Sequence, residues 1–195
     1  RNRVKGMELE GKVLGLIGCG HIGQLVAKKA AYGFGMKVVG YDAYADPAKL
    51  PDYVELKDNM DDVYKEADFV SLHVPLNDET RGMVNKDVME HKMKNTAYVI
   101  NCARGGIVDE KDLYDAVTSG AIAGAGLDVF VAEIEDPNRP LDPECPLFKL
   151  DKVVVSPHNA ALTKEAADRM GLHAAQGIIE VLTGKVPTWP VNKIK

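Results

Sequence analysis

The sequence predicts a doubly wound α/β domain built on an open parallel sheet. Three observations carry that expectation: short, continuously apolar runs, amphipathic stretches between them, and a glycine-rich turn that joins the first run to the first amphipathic stretch. Strands covered by helices on both faces read as unbroken apolar runs instead of alternating ones. Their regular alternation with helical segments marks crossover units.

In chain order the apolar runs are KVLGLIG (12–18), MKVVGYD (36–42), ADFVSLHV (67–74), TAYVINC (96–102), IAGAGLDVF (122–130) and KVVVSPH (152–158). Helices are expected at 21–33, 59–66, 86–92, 109–119 and 163–183. Asp109 and Asp112 place negative charge at the start of the fourth helix, where the helix dipole is positive, and Gly120 ends it. Thr163 can cap the last helix with Glu165 in its first turn, and Pro187 and Pro190 stop continuation. Residues 131–149 hold four prolines and no hydrophobic period, so they read as a long loop of the kind that is usually functional or mobile.

Composition narrows the function classes. The 195 residues are 46% apolar with a net charge of −5, enough for one domain with a sizeable core. Positive and negative residues are mixed throughout, which leaves no basic face for nucleic acid or an anionic membrane. No apolar run approaches the ~20 residues of a membrane span, and the N-terminus lacks a signal-peptide core, so a cytoplasmic protein is expected. Cys19, Cys102 and Cys145 fit neither a disulfide framework nor a zinc site and read as reduced thiols, with no metal expected. The first residue is Arg1, and the chain reads as a fragment.

GCGHIG (18–23) is G-x-G-x-x-G placed directly after a strand and directly before a helix. In that context Gly18 permits the tight turn, Gly20 lets a pyrophosphate approach the backbone, and Gly23 lets the helix pack closely. Negative charge then sits on N–H groups at the helix start. The second strand ends in GYD, and Asp42 is placed to accept hydrogen bonds from a ribose. The ligand expected is a dinucleotide.

Three further segments, NCARGGIVDEKDL (101–113), GAGLDVFVAE (124–133) and VVVSPHNAALTKEA (153–166), with HVPLNDETRGMV (73–84), resemble the NAD-dependent D-2-hydroxyacid dehydrogenases. That family includes the D-3-phosphoglycerate, D-lactate and glycerate enzymes. The resemblance implies an NAD-binding domain over 1–195, without the substrate-binding domain that flanks it in the family. It implies catalytic roles for Arg104, Glu133 and His158, and places Asp128 by the nicotinamide carboxamide. It also implies that His21, Ile22, Val74, Pro75, Thr80, Cys102, Ala103 and Arg104 line the cofactor, and that the subunit forms a homodimer. Two departures stand out: Glu133 is followed by IEDP, which leaves Glu135 as a rival carboxylate, and His158 is followed by Asn159, Ala160 and Ala161 instead of an early glycine.

The residue types suit the chemistry. Arginine pairs bidentately with a carboxylate and stays charged. Histidine can protonate the oxygen of a 2-keto acid as hydride arrives, and a glutamate beside it favours its charged form. Each residue has a plainer reading: Arg104 as a solvated helix-entry residue, Glu133 as a loop residue, His158 as a strand-end histidine. His173 reads as structural, His91 as a surface residue, His73 as packing or a border of the nicotinamide ribose, and Trp189 as cover for an apolar edge. The function expected is hydride transfer between NAD and a small D-2-hydroxy or 2-keto acid, D-3-phosphoglycerate among them. The alternative is an NAD-responsive, corepressor-like binding module.

Overall fold

A sheet with every pairing parallel runs β3-β2-β1-β4-β5-β6-β7. Its strands are β1 (Val13–Ile17), β2 (Lys37–Tyr41), β3 (Val54–Leu56), β4 (Phe69–Leu72), β5 (Tyr98–Asn101), β6 (Gly124–Leu127) and β7 (Val153–Val155). The helices are α1 (His21–Phe34), α2 (Met60–Glu66), α3 (Glu110–Ser119) and α4 (Lys164–Leu182). This is a computed structural model, and it describes residues 6–132 and 144–190. The chain divides into two compact units, Arg1–His158 and Asn159–Lys195.

The strand pleat sorts the core of the first unit. Leu14 and Leu16 of β1 share one buried cluster with Ala27 and Ala30 of α1 and Val38 of β2. Ile17, with Val39, Val70 and Leu72, belongs to a second cluster with Val63 and Tyr64 of α2 and Leu113 of α3. The central strands of the sheet are thus covered on both faces, which is why they carry no polar stripe, whereas the edge strand β7, expected to be buried like the rest, leaves Val154 and Val155 exposed. Gly15 lets α2 lie directly on β1, because a Cβ there would come within 2.7 Å of the Ala67 Cβ and 2.8 Å of Val63 Cγ1.

The five expected helices are present, with one change of kind. Residues 88–92 form a π-type turn in which the Met93 N–H donates to the Val88 carbonyl at 3.1 Å. Asp109 caps α3 by accepting from the Asp112 N–H at 2.9 Å, Gly120 ends it at φ 79°, and Thr163 caps α4 by accepting from the Ala166 N–H at 3.1 Å. Side-chain caps of this kind are typically worth ~1 kcal/mol each. Asp112 also accepts from the Lys86 N–H at 2.9 Å, which ties the π-type turn to α3.

Two expectations change. A seventh strand, β3, joins the edge beside β2, where six strands were expected; it is three residues long and buries only Val54. Of the expected loop at 131–149, residues 133–143 lie outside the described residues, and Pro146–Lys149 forms a 3-10 turn. Phe148 of that turn packs edge-on against Phe130, with ring centroids 5.2 Å apart.

In the second unit the chain beyond α4 turns back along it. The Glu180 carboxylate accepts from the Thr188 N–H at 2.7 Å and from the Thr188 hydroxyl at 2.8 Å. Trp189 stacks on His173 with ring centroids 4.0 Å apart, so the tryptophan covers a histidine ring where an apolar edge was expected.

Candidate functional site

The chemistry-bearing residues of the first unit gather where the strands end. Gly18, one residue beyond β1, has φ 97°, and a Cβ there would come within 2.6 Å of the His73 carbonyl oxygen. Gly23 sits against the Gly18 carbonyl, which lets the first turn of α1 lie close on the glycine turn. Gly20 differs from both: a Cβ there would meet nothing within 4 Å. It is the N-cap of α1, a helix with no side-chain cap and no acidic residue in its first turn. The start of α1 is therefore an open anion cradle.

Asp42 stands at the end of β2 with its carboxylate held by backbone. One oxygen accepts from the Cys19 N–H and the other from the Tyr44 N–H, each at 2.8 Å. Burial and the neighbouring Asp42 charge push the Cys19 thiol up to about 11, so it stays protonated. Asp42 and Gly18 line a cavity of about 190 Å³ together with Ile17, Val74, Pro75 and Thr80. Thr80 also holds the wall in place, since its hydroxyl donates to the Pro75 carbonyl at 2.6 Å.

A second cavity, of about 500 Å³, is lined by Ile22, His73, Val74 and Pro75 and by Cys102, Ala103 and Arg104. His73 thus borders this space, and it also packs, with Nε2 3.0 Å from the Ser71 hydroxyl. Burial pushes its imidazole below the usual range, which makes it neutral at pH 7. Burial, and next the Asp128 charge, raise the Cys102 thiol.

The loop carrying Arg104 is shaped from below. Asn101, buried at the end of β5, accepts from the Ala103 N–H at 3.1 Å and donates to the Arg104 carbonyl at 2.9 Å. Gly105 admits the Phe130 carbonyl where a Cβ would stand, which brings the loop after β6 against the Arg104 loop. The Arg104 guanidinium is left exposed, donating to the Ala103 carbonyl at 2.6 Å. Asp128, 2% exposed at the end of β6, accepts from the Ser156 hydroxyl, which links it to the segment after β7. Two residues on, His158 has φ 51°, and it is the one non-glycine residue with positive φ among the described residues. Backbone of that kind in a non-glycine residue is uncommon and recurs at functional sites.

Most of the expected site residues are therefore brought to one edge of the sheet. His21 is exposed at the first position of α1 and lines neither cavity. Glu133 and its rival Glu135 lie outside the described residues. The sequence reading did not single out Asn101, Ser156 or Glu110, whose carboxylate accepts from the Val131 N–H. Asn101 had a signal, since a polar residue closing a buried strand needs a partner. The arrangement fits a dinucleotide: open N–H groups for the pyrophosphate, a fixed carboxylate for a ribose, and apolar walls on both sides of Val74 and Pro75.

Comparison with known proteins agrees. Residues 1–160 match the model of the D-isomer specific 2-hydroxyacid dehydrogenase, NAD binding domain. The chain is 44% identical over 194 residues to D-3-phosphoglycerate dehydrogenase of Methanocaldococcus jannaschii, which covers 98% of this chain and 35% of that protein. Among solved structures, D-lactate dehydrogenase with NAD+ from Lactobacillus jensenii matches with TM-score 0.87 and 34% identity over 99% of this chain and 59% of its own. An acyclic imino acid reductase in complex with NADPH and D-Arg matches with TM-score 0.79 and 31% identity, over 97% of this chain and 55% of its own. The chain thus spans between about a third and three fifths of the length of these proteins. All three are named as enzymes, which favours the dehydrogenase reading over the corepressor-like one. The fold, the dinucleotide cradle and the family match agree, and the chain belongs to the D-isomer specific 2-hydroxyacid dehydrogenases as their NAD-binding domain.

Proposed function

We propose that this chain holds NAD(H) at the carboxyl edge of its sheet and supplies Arg104, Glu133 and His158 to the interconversion of a small D-2-hydroxy acid and its 2-keto acid. The observation that carries the proposal is the juxtaposition at one edge of the open α1 cradle, the backbone-held Asp42 and the Arg104 loop clamped by Asn101. When bound, the nicotinamide supplies or receives the hydride. Arg104 pairs with the substrate carboxylate, its guanidinium exposed above the larger cavity. His158 gives a proton to the carbonyl oxygen in reduction and removes it in oxidation, help typically worth 10²- to 10⁴-fold. Glu133, five residues beyond Asp128, holds that imidazole and favours its charged form, with Glu135 as the alternative. Asp128, fixed by Ser156, faces the carboxamide end.

Asp42 sets a preference for NAD(H) over NADP(H). A phosphate beside it meets ~4 kcal/mol of repulsion per unit charge at 4 Å for an effective dielectric near 20. The choice of substrate, D-3-phosphoglycerate or another 2-hydroxy acid, falls to a part of the kind that the relatives carry outside the matched region. A homodimer in the cytoplasm completes the reading, with no part for nucleic acid or membrane. Three cysteines without a disulfide among the described residues suit a reducing compartment.

Positioning accounts for ~7–11 kcal/mol of a barrier of this kind. The chain is therefore expected to bind NADH by calorimetry yet to turn over 2-keto acids very slowly, with activity restored when the flanking substrate-binding halves are joined to it. Absence of NADH binding, or no 2-keto acid reduction by the joined protein, would reject the proposal.

A further inference from the structure

Asp42 is not the one carboxylate at the smaller cavity. Glu79 also lines it, above a floor that includes Ile17, Met60, Val74 and Met83, and no lysine, arginine or histidine is among the lining residues. Glu79 sits on a pinned turn. The Asn77 side-chain oxygen accepts from the Glu79 N–H at 3.0 Å and from the Thr80 N–H at 2.9 Å, while the Asn77 N–H donates to the Thr80 hydroxyl at 2.9 Å. The backbone that carries Glu79 is thereby fixed, and its exposed side chain makes no hydrogen bond or ion pair with the other described residues.

The two carboxylates differ in how their charge is spent. Both oxygens of Asp42 accept backbone N–H groups, so Asp42 fastens the glycine turn and the segment after β2 as well as facing a sugar. Glu79 fastens nothing through its carboxylate. A space of this volume is roughly 7 Å across, inside the ~8 Å Debye length at physiological salt, so a charge within it is felt from any wall. We infer that Glu79 is a second determinant of cofactor choice, one that disfavours a 2′-phosphorylated dinucleotide independently of Asp42. The inference rests on the proposed placement of the adenosine ribose at this cavity. It means that removing Asp42 alone, the obvious way to invite NADPH, leaves a preference for NADH in place.

The test is calorimetry of NADH and NADPH with the unmodified chain and with Glu79→Gln, Glu79→Asp, Asp42→Asn and the Glu79→Gln/Asp42→Asn double variant. Glu79→Gln is expected to lower the ratio of the NADPH to the NADH dissociation constant by about tenfold at low salt, an effect that shrinks as salt rises. Glu79→Asp, which keeps the charge, should leave the ratio close to that of the unmodified chain. Asp42→Asn should retain a preference that the double variant loses. An unchanged ratio in Glu79→Gln overturns the inference. So does a ratio that falls only because NADH binding weakens while NADPH binding stays the same, which would assign Glu79 to the 2′-hydroxyl of the ribose as a hydrogen-bond acceptor. If the double variant does not fold, the single change at the exposed Glu79 decides. Failure of the unmodified chain to bind either dinucleotide would instead reject the cofactor placement itself.

Discussion

The three glycines of the GCGHIG turn should separate into structural and ligand-facing positions when each receives a methyl group. Alanine at Gly18 must adopt φ 97°, outside the L-residue basins, at a cost of about 1–2 kcal/mol. Its Cβ would also stand 2.6 and 2.7 Å from the oxygen and carbon of the His73 carbonyl. Those atoms are backbone and cannot swing aside, which adds overpacking of about 1–3 kcal/mol. Gly18→Ala should therefore lose about 3 kcal/mol, equivalent to about 6–12 °C of Tm for a domain of this size. Gly20→Ala is the opposite case, with φ −71° and open space around the added methyl. Its melting temperature should fall by less than about 3 °C. Yet the methyl occupies the approach to the N–H groups of α1, and losing two charge-assisted hydrogen bonds at about 1.5 kcal/mol each weakens NADH at least about 100-fold. Circular dichroism melts and calorimetry on the same two preparations decide the matter. The reasoning is refuted if Gly20→Ala melts with Gly18→Ala, or if it binds NADH as tightly as the unmodified chain.

Three further outcomes are expected. In the protein joined to its substrate-binding halves, His158→Gln should lower kcat by about 10²-fold or more with NADH affinity nearly unchanged, and Glu133→Gln should shift the pH–rate profile of reduction to lower pH; superimposable profiles reject the glutamate. Asp68 is pushed up by burial, but the Lys94 ammonium at 2.9 Å and the Val13 N–H at 2.9 Å prevail and hold its carboxyl below the usual range. A depressed folded-state pKa gives stability that is present above the unfolded value of about 3.9 and lost as pH falls through the folded value. Asp68→Asn should cost about 1 kcal/mol at pH 7 and flatten the acid limb of the Tm curve below about pH 4; an unaltered limb contradicts the pairing.

What the sequence made legible follows its periodicities. Six strands stood out as unbroken apolar runs, which burial on both faces demands of all but the exposed edge strand β7, and the caps at Asp109, Gly120 and Thr163 stood out because their roles are local. β3 did not, because three residues with one buried side chain leave no pattern. The cradle at 18–23 was readable from its glycine spacing between a strand and a helix, although the contacts behind it differ: Gly23 meets the Gly18 carbonyl, Gly18 meets the distant His73 carbonyl, and Gly20 faces open space. The Asp128–Ser156 bond across 28 residues and the Asp42 grip on the Cys19 N–H were not, since each joins segments whose proximity only the sheet order creates, whereas the Asn101 clamp is local and left only the signal of a polar residue at a buried strand end.

That difference bears on how the site acquires its accuracy. In a parallel sheet the strand ends stand side by side a few ångströms apart, and the segments leaving them have no regular ladder to fix their backbone. Here the missing ladder is supplied by side chains that belong to the strand ends themselves: Asp42 for the glycine turn, Asn101 for the Arg104 loop, Ser156 for Asp128. Each holds backbone or a buried carboxylate, and none of the three consumes Arg104 or Glu79, whose charged groups remain exposed. The edge is thus stiff in its main chain while these charges stay solvated. Preorganised electrostatic recognition calls for that combination, because a charge that must first abandon an opposite internal charge gives back part of what it gains on binding.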